Sequence, residues 1–403
     1  MNSAKPKAPS IFGGIMLVIG NIIGAGILAL PIATAQLGMF YAALTLCFFW
    51  LLMMLGAYYF LEANLTLPAN ANLISMSRRH LGYWGVCVAW GCNLIVMYSL
   101  IAAYISGGSD LIQVNAQQFG LLIPTWISAL LFLLIFGYIV SLGIAITDYT
   151  NRCLMTLKSG LFFALLVSLA SKFNVHALSL NIPSNQFSGS LLIVALTSYG
   201  FAVLVPSLRS YYQSDVLKLR KIIFWGTGIP FLCYIIWVTL VLALIPYTGT
   251  YGLKSIADSA HPLSDLQSAL SDVFHMQWLV QIMNIFSAIC ILTSFLANSI
   301  SFTDFIADGY GLYHNGKKKV SVYLIAYAPA LATVLFFPRA FLLGLSIAGW
   351  MAIIQLLLLP GLILWYARYI TKNSISPYQV IGGKPLLVGF IIISILLLFF
   401  VWL

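Results

Sequence analysis

Eleven long apolar windows follow one another along this 403-residue chain, near residues 11–36, 40–62, 84–110, 124–147, 152–171, 190–210, 222–246, 278–303, 320–338, 341–367 and 386–403. A membrane-spanning helix needs about 20 apolar residues, and lipid offers no partner to an unpaired peptide group, so windows of this kind must be helical. Only 7% of the side chains are charged, against about 25% in soluble domains. Little chain remains for a soluble catalytic or nucleic-acid-binding domain. The expected fold class is an all-α polytopic membrane protein with eleven transmembrane helices.

The net charge of +10 reports orientation. With the amino terminus in the cytoplasm, sixteen of the 19 Lys and Arg residues lie on or near that side, and Lys172, Lys254 and Arg339 lie outside. This positive-inside bias accounts for most of the basic excess without a nucleic-acid partner. Residues 1–10 read as a cytoplasmic tail, and an odd number of spans puts the carboxyl terminus on the opposite face. The first apolar run is about twice the usual signal-peptide core of 7–15 residues and is broken by glycine, so it reads as a retained span. The six cysteines sit in or at the edges of apolar stretches without metal-site spacing and read as buried free thiols. The five histidines lie in or beside predicted loops. No cofactor or metal is expected.

Two spans are interrupted at mid-depth. The first contains GNIIGAGILALP from Gly20 to Pro31, and the sixth contains Thr197-Ser198-Tyr199-Gly200-Phe201-Ala202 followed by Pro206. Glycine weakens a helix interior, although Gly20 and Gly24 also fit a tight-packing motif. Interruptions five spans apart fit two five-helix repeats, and an odd number of spans per repeat forces inverted topology. The repeats are 11–171 and 190–367, with the span at 386–403 outside them. A broken helix is tolerated at membrane depth where it lines a cavity. The half-helix beginning near Ala25 offers free amides and a positive dipole end to a carboxylate, while opposing carbonyls suit an ammonium. The natural ligand is a zwitterion such as an amino acid.

These motifs, with MYSLIAAYISGG from Met97 to Gly108, the Asn151-Arg152 to Lys158 stretch, SYGF with Val205-Pro206-Ser207, Thr303 to Asp308, Phe337-Pro338-Arg339 and Gly382-Gly383-Lys384-Pro385, resemble the bacterial hydroxy and aromatic amino acid permeases. Within them the tyrosine and tryptophan permease branch is the nearest match. The resemblance covers nearly the whole chain and implies membership of the amino acid, polyamine and organocation superfamily. It further implies a sodium-symporter-like 5+5 inverted repeat with interrupted helices 1 and 6, and secondary uptake across the bacterial inner membrane. The tyrosine-permease pattern has a histidine after the aromatic pair of the sixth span where this chain has Ala202, which leaves the choice of substrate open.

By analogy with that fold, the substrate carboxylate meets the backbone of Ile23, Gly24, Ala25 and Gly26 beside Asn21. The ammonium meets carbonyls around Ser198, Tyr199 and Gly200, and Tyr199 and Phe201 are candidates for an aromatic gate. In the third span Asn93 and Met97 share a helical face, with Tyr98 beside them. For Asn93 an interhelical hydrogen bond competes with substrate contact. In the eighth span Thr293 and Ser294 stand where sodium-coupled relatives of the fold hold an ion. Lys158 lies six residues past Arg152, about 9 Å deeper along a helix, where a lysine is costly unless it snorkels or is used. If it reaches the gap between the first, fifth and eighth spans, its ammonium replaces that ion and its protonation couples transport to a proton gradient.

The functional expectation is a symporter importing an aromatic amino acid, most readily tyrosine, with the proton as coupling ion and sodium as the alternative. Lipid and a small-molecule substrate are the expected partners. The competing readings are a serine or threonine permease, a channel, and a membrane enzyme, for which no convergent acids or histidines are visible.

Overall fold

The computed structural model describes residues 10–24, 26–68, 71–173, 189–249, 251–259, 262–274, 277–310, 313–314, 317–318, 320–337, 340–371 and 376–400. The first apolar window forms two helices, α1 (Ile11–Ile22) and α2 (Gly26–Thr34), and the second forms α3 (Gly38–Leu65). Then follow α4 (Leu73–Gln118), α5 (Thr125–Ser141) and α6 (Ile144–Ala170). The sixth window is again divided, into α7 (Gly189–Thr197) and α8 (Val205–Tyr211), before α9 (Val216–Leu244). Two shorter helices, α10 (Leu253–Asp258) and α11 (Pro262–Phe274), follow. They lead to α12 (Gln277–Tyr310) and α13 (Val320–Phe336), joined through a two-residue ladder of β1 (Tyr313–His314) and β2 (Lys317–Lys318). The chain ends in α14 (Ala340–Ala352), α15 (Leu359–Trp365) and α16 (Gly383–Phe400).

Among the described residues, eight helical stretches are long and apolar enough to cross a membrane, and the apolar helices α1, α5 and α13 are shorter. The chain is therefore a multi-pass membrane protein. Some boundaries differ from the windows. Helix α6 begins at Ile144 rather than 152, because the polar turn around Thr147 to Arg152 is helical without being apolar. Helix α4 starts at Leu73, where Asn72 and Ser75 cap each other's backbone amides at 3.0 and 2.8 Å. It then bends at Gly82, whose φ of 70° requires glycine. Between α14 and α15, and again after α15, the helix widens into π-type turns at Ile353–Leu358 and Tyr366–Ile370. The cysteines depart from expectation: Cys92 and Cys290 are buried, but Cys87 and Cys153 are exposed. An apolar position on a membrane helix can face lipid as readily as protein, and apolarity alone does not separate the two.

Small residues let the helices meet closely. A Cβ added to Gly344 of α14 would lie 2.4 Å from the Ser99 carbonyl of α4, and one at Gly226 of α9 would lie 2.7 Å from Val18 of α1. Two arginines, Arg209 buried and Arg368 partly so, fasten helix ends together. Arg368 grips Glu62 with two parallel bonds of 2.6 and 2.5 Å, and Glu62 also accepts the Val380 amide at 2.8 Å. Arg209, at the end of α8, donates to the backbone carbonyls of Asn64, Leu67 and Pro68, which close the end of α3.

Candidate functional site

The two divided windows lie against each other. Helix α1 ends where Ile23 takes φ −73° and ψ 82°, outside the helical region, and α2 resumes at Gly26. Helix α7 stops at Thr197, and Phe201 leads into a short 3-10 turn before α8. Asn21 Nδ2 crosses from the first break to donate to the Gly200 carbonyl of the second at 3.2 Å. A Cβ built on Gly26 would stand 2.7 Å from Ser198 Oγ and 3.2 Å from Ser198 Cα, so only glycine lets these backbones approach so closely. The structure thus brings together Asn21, Ile23, Gly24, Gly26, Ser198 and Gly200. Ala25 lies outside the described residues.

Lys158 enters this cluster from α6. It is only 2% exposed, and its ammonium donates to the Ile23 carbonyl and to Thr293 Oγ1 of α12, the latter at 3.3 Å. One cation therefore joins α6, the first break and α12. The Thr293 hydroxyl in turn donates a hydrogen bond to the Cys290 carbonyl at 3.2 Å. Its neighbour Ser294 approaches the break from the same helix, with its hydroxyl 2.6 Å from where a Gly24 Cβ would sit.

The other candidates point elsewhere. Asn93 accepts a 3.1 Å bond from Gln355 Nε2 in the π-type turn after α14. Tyr98 donates to the Ile325 carbonyl of α13 at 2.9 Å and packs edge-on against Phe302. Tyr199 and Phe201 are buried, at 1% and 0% exposure, with the Tyr199 ring against Tyr234 at 5.3 Å. In this conformation neither ring faces an open cleft.

Sequence reasoning missed Tyr234 and Trp237 of α9. The Tyr234 hydroxyl lies 2.6 Å from the Ile22 carbonyl and 3.1 Å from that of Ser198, one from each break. Trp237 Nε1 donates to the Ile27 carbonyl at 3.0 Å. The available signal was a tyrosine and a tryptophan three residues apart in mid-span, where a phenolic or indole hydrogen must find an acceptor.

Burial is unequal at the two ends. Ile27 to Ile32 of α2 and Ile193 to Leu196 of α7 are buried, and α10 and α11 pack against α2. On the other side Leu17 and Asn21 of α1 and Val203 before α8 are exposed. The α2 and α7 end of the cluster is thus buried within the protein.

A buried cation, clustered backbone carbonyls and the first turn of α2 together offer complementary charge to a small zwitterion. The chain is 29% identical over 398 residues to the tyrosine-specific transport system 2 of Haemophilus influenzae, covering 96% of this chain and 95% of that protein. It is 30% identical over 399 residues to the tyrosine-specific transport system 1 of the same organism, covering 96% and 94%. It is 28% identical over 386 residues to the tryptophan-specific transport protein of Shigella flexneri, covering 94% and 92%. The model of the tryptophan/tyrosine permease family matches residues 7–402, and the chain belongs to that family.

Proposed function

We propose that this protein is a secondary carrier that imports an aromatic amino acid, tyrosine first and tryptophan next, across the bacterial inner membrane by proton symport. The observation that carries the reading is the meeting of the two helix breaks, with Asn21 bonded to Gly200 across them. On this reading the chain crosses the membrane eleven times. Residues 11–171 and 190–367 are inverted five-helix repeats, 386–403 is an added span, and residues 1–10 are a cytoplasmic tail. The carboxyl terminus is periplasmic, so the covered end of the site is external.

The substrate carboxylate takes the amides opening α2, around Gly24, Ala25 and Gly26, beside Asn21. The ammonium takes carbonyls of the second break around Ser198, Tyr199 and Gly200. Tyr199 and Phe201 turn toward the substrate ring when the site closes, and Asn93 and Tyr98, bonded to Gln355 and the Ile325 carbonyl, hold the helices behind the site. Lys158, with Thr293 and Ser294, is the coupling group: held on the Ile23 carbonyl and Thr293 it fills the place of an ion, and it loses its proton when the first break moves away. No covalent chemistry is involved.

The test is uptake of labelled tyrosine by proteoliposomes under an imposed pH difference, with unlabelled tryptophan, phenylalanine, serine and threonine as competitors. Competition by tryptophan and phenylalanine alone supports the aromatic assignment. Competition by serine or threonine in preference to the aromatic amino acids assigns the chain to hydroxy amino acids, and dependence on sodium in place of pH overturns the coupling ion.

A further inference from the structure

We infer that Tyr234 is a positioning residue that fixes the distance between the two helix breaks and thereby selects substrates carrying both a carboxylate and an ammonium. The inference rests on the proposed site, but its geometry is independent of substrate identity. Tyr234 is fully buried in α9, and its hydroxyl lies within reach of the Ile22 and Ser198 carbonyls at 2.6 and 3.1 Å. A phenol has one hydrogen, so the shorter contact holds most of it and the longer one shares it. If either carbonyl recedes, the bridge is lost.

The Ile22 carbonyl also accepts the Gly24 amide at 2.8 Å, which engages both of its lone pairs. It is therefore committed to structure. The Ser198 carbonyl accepts the longer bond from Tyr234 at 3.1 Å, and its second lone pair can accept from an arriving ammonium while the bridge stays in place. Trp237 lies three residues on, about 4.5 Å along the same helix, and holds the Ile27 carbonyl on the far side of the first break at 3.0 Å. One face of α9 thus splints the first break from both sides and ties the second to it. The carboxylate and ammonium positions belong to different breaks, so a fixed gap rewards a ligand that carries both groups at the α-amino acid spacing.

Two readouts in the full-length protein test this. The first is affinity for L-tyrosine, for tyramine, which lacks the carboxylate, and for 3-(4-hydroxyphenyl)propionate, which lacks the ammonium. Tyr234→Phe is expected to weaken L-tyrosine about tenfold while changing each single-group analogue by less than about twofold. The second needs no substrate: a Gly26→Cys and Ser198→Cys pair, whose built Cβ on residue 26 lies 3.3 Å from Ser198 Cβ, falls near the disulfide Cβ separation of about 3.8 Å, and the small parting that a Cβ at residue 26 forces is common to the arms with and without Tyr234→Phe. Oxidative cross-linking of that pair should drop at least threefold when Tyr234→Phe is added. An equal loss of affinity for all three ligands, or an unchanged cross-linking yield, overturns the inference. If Tyr234→Phe does not fold, Trp237→Phe carries both readouts, with the same pattern expected at smaller size. Failure of the wild-type protein to bind either aromatic amino acid refutes the proposed function, whereas the cross-linking result still decides the role of Tyr234.

Discussion

Adding a single methyl group at Gly26 strikes the point where the two breaks come closest. An alanine Cβ there would lie 2.7 Å from Ser198 Oγ, 3.3 Å from its Cβ and 3.2 Å from its Cα. The hydroxyl can swing aside only by giving up its 2.7 Å bond to the Val194 carbonyl, a loss of about 1 kcal/mol. The contact with Cα is not relieved by any rotamer and requires a backbone shift of a few tenths of an ångström, for which overpacking costs of about 1–3 kcal/mol are typical. In the ligand-free protein the breaks relieve this strain by parting, and that parting must be reversed when a substrate bridges them. The cost therefore appears in binding: about 2 kcal/mol is a loss of roughly thirtyfold in affinity. The assay is equilibrium binding of labelled tyrosine to the purified protein, with thermal melting as control. Gly26→Ala should bind roughly thirtyfold more weakly with little change in melting, and Gly26→Ala with Ser198→Gly should recover most of the loss. Wild-type affinity in Gly26→Ala would refute the claim that the close approach of the breaks builds the site.

Three further outcomes are expected. Gly24→Leu should abolish binding and uptake while leaving membrane insertion intact, since its side chain runs into Ser294; insertion is read by protease accessibility of the loops. Glu62→Gln should lower the melting temperature by the equivalent of about 3–5 kcal/mol, the usual cost of stranding one member of a buried pair, and Glu62→Leu with Arg368→Met should lose less. Arg209→Lys should impair folding yield or uptake, because one ammonium cannot reproduce the guanidinium fork across the Asn64, Leu67 and Pro68 carbonyls; equal expression and uptake would show that the network is dispensable.

What the sequence disclosed followed from one-dimensional signals. Long apolar windows locate the helices, and glycines inside two of them mark the breaks, because lipid and helix geometry act on each segment separately. Contacts between distant segments left no such trace. Tyr234 reads as one more aromatic in an apolar span until its hydroxyl is placed between two carbonyls. Asn93 lay equally open to substrate and to another helix, and its bond to Gln355 comes from a partner 262 residues away. Glu62 reads as a solvated or salt-bridged charge at a helix end, and only the structure decides for the salt bridge, with Glu62 1% exposed and clamped by Arg368 from 306 residues away. The depth of Lys158 was legible from helical rise, but its direction was not, since snorkelling and inward burial use the same residue. The π-type turns at Ile353–Leu358 and Tyr366–Ile370 have no compositional signature in a uniformly apolar stretch.

The central claim is that a buried lysine, bridging the first break to α12, couples the movement of an aromatic amino acid to that of a proton. Its most direct test is accumulation of labelled tyrosine or tryptophan in proteoliposomes under an imposed pH difference, beside energy-independent counterflow in the same vesicles. The wild-type protein should show both activities. Lys158→Gln should keep part of the counterflow and lose accumulation, and Lys158→Arg should also fail to accumulate, because a guanidinium keeps its proton at any accessible pH. If Lys158→Gln still concentrates substrate in response to the pH difference, Lys158 is a structural tie and the coupling group lies elsewhere.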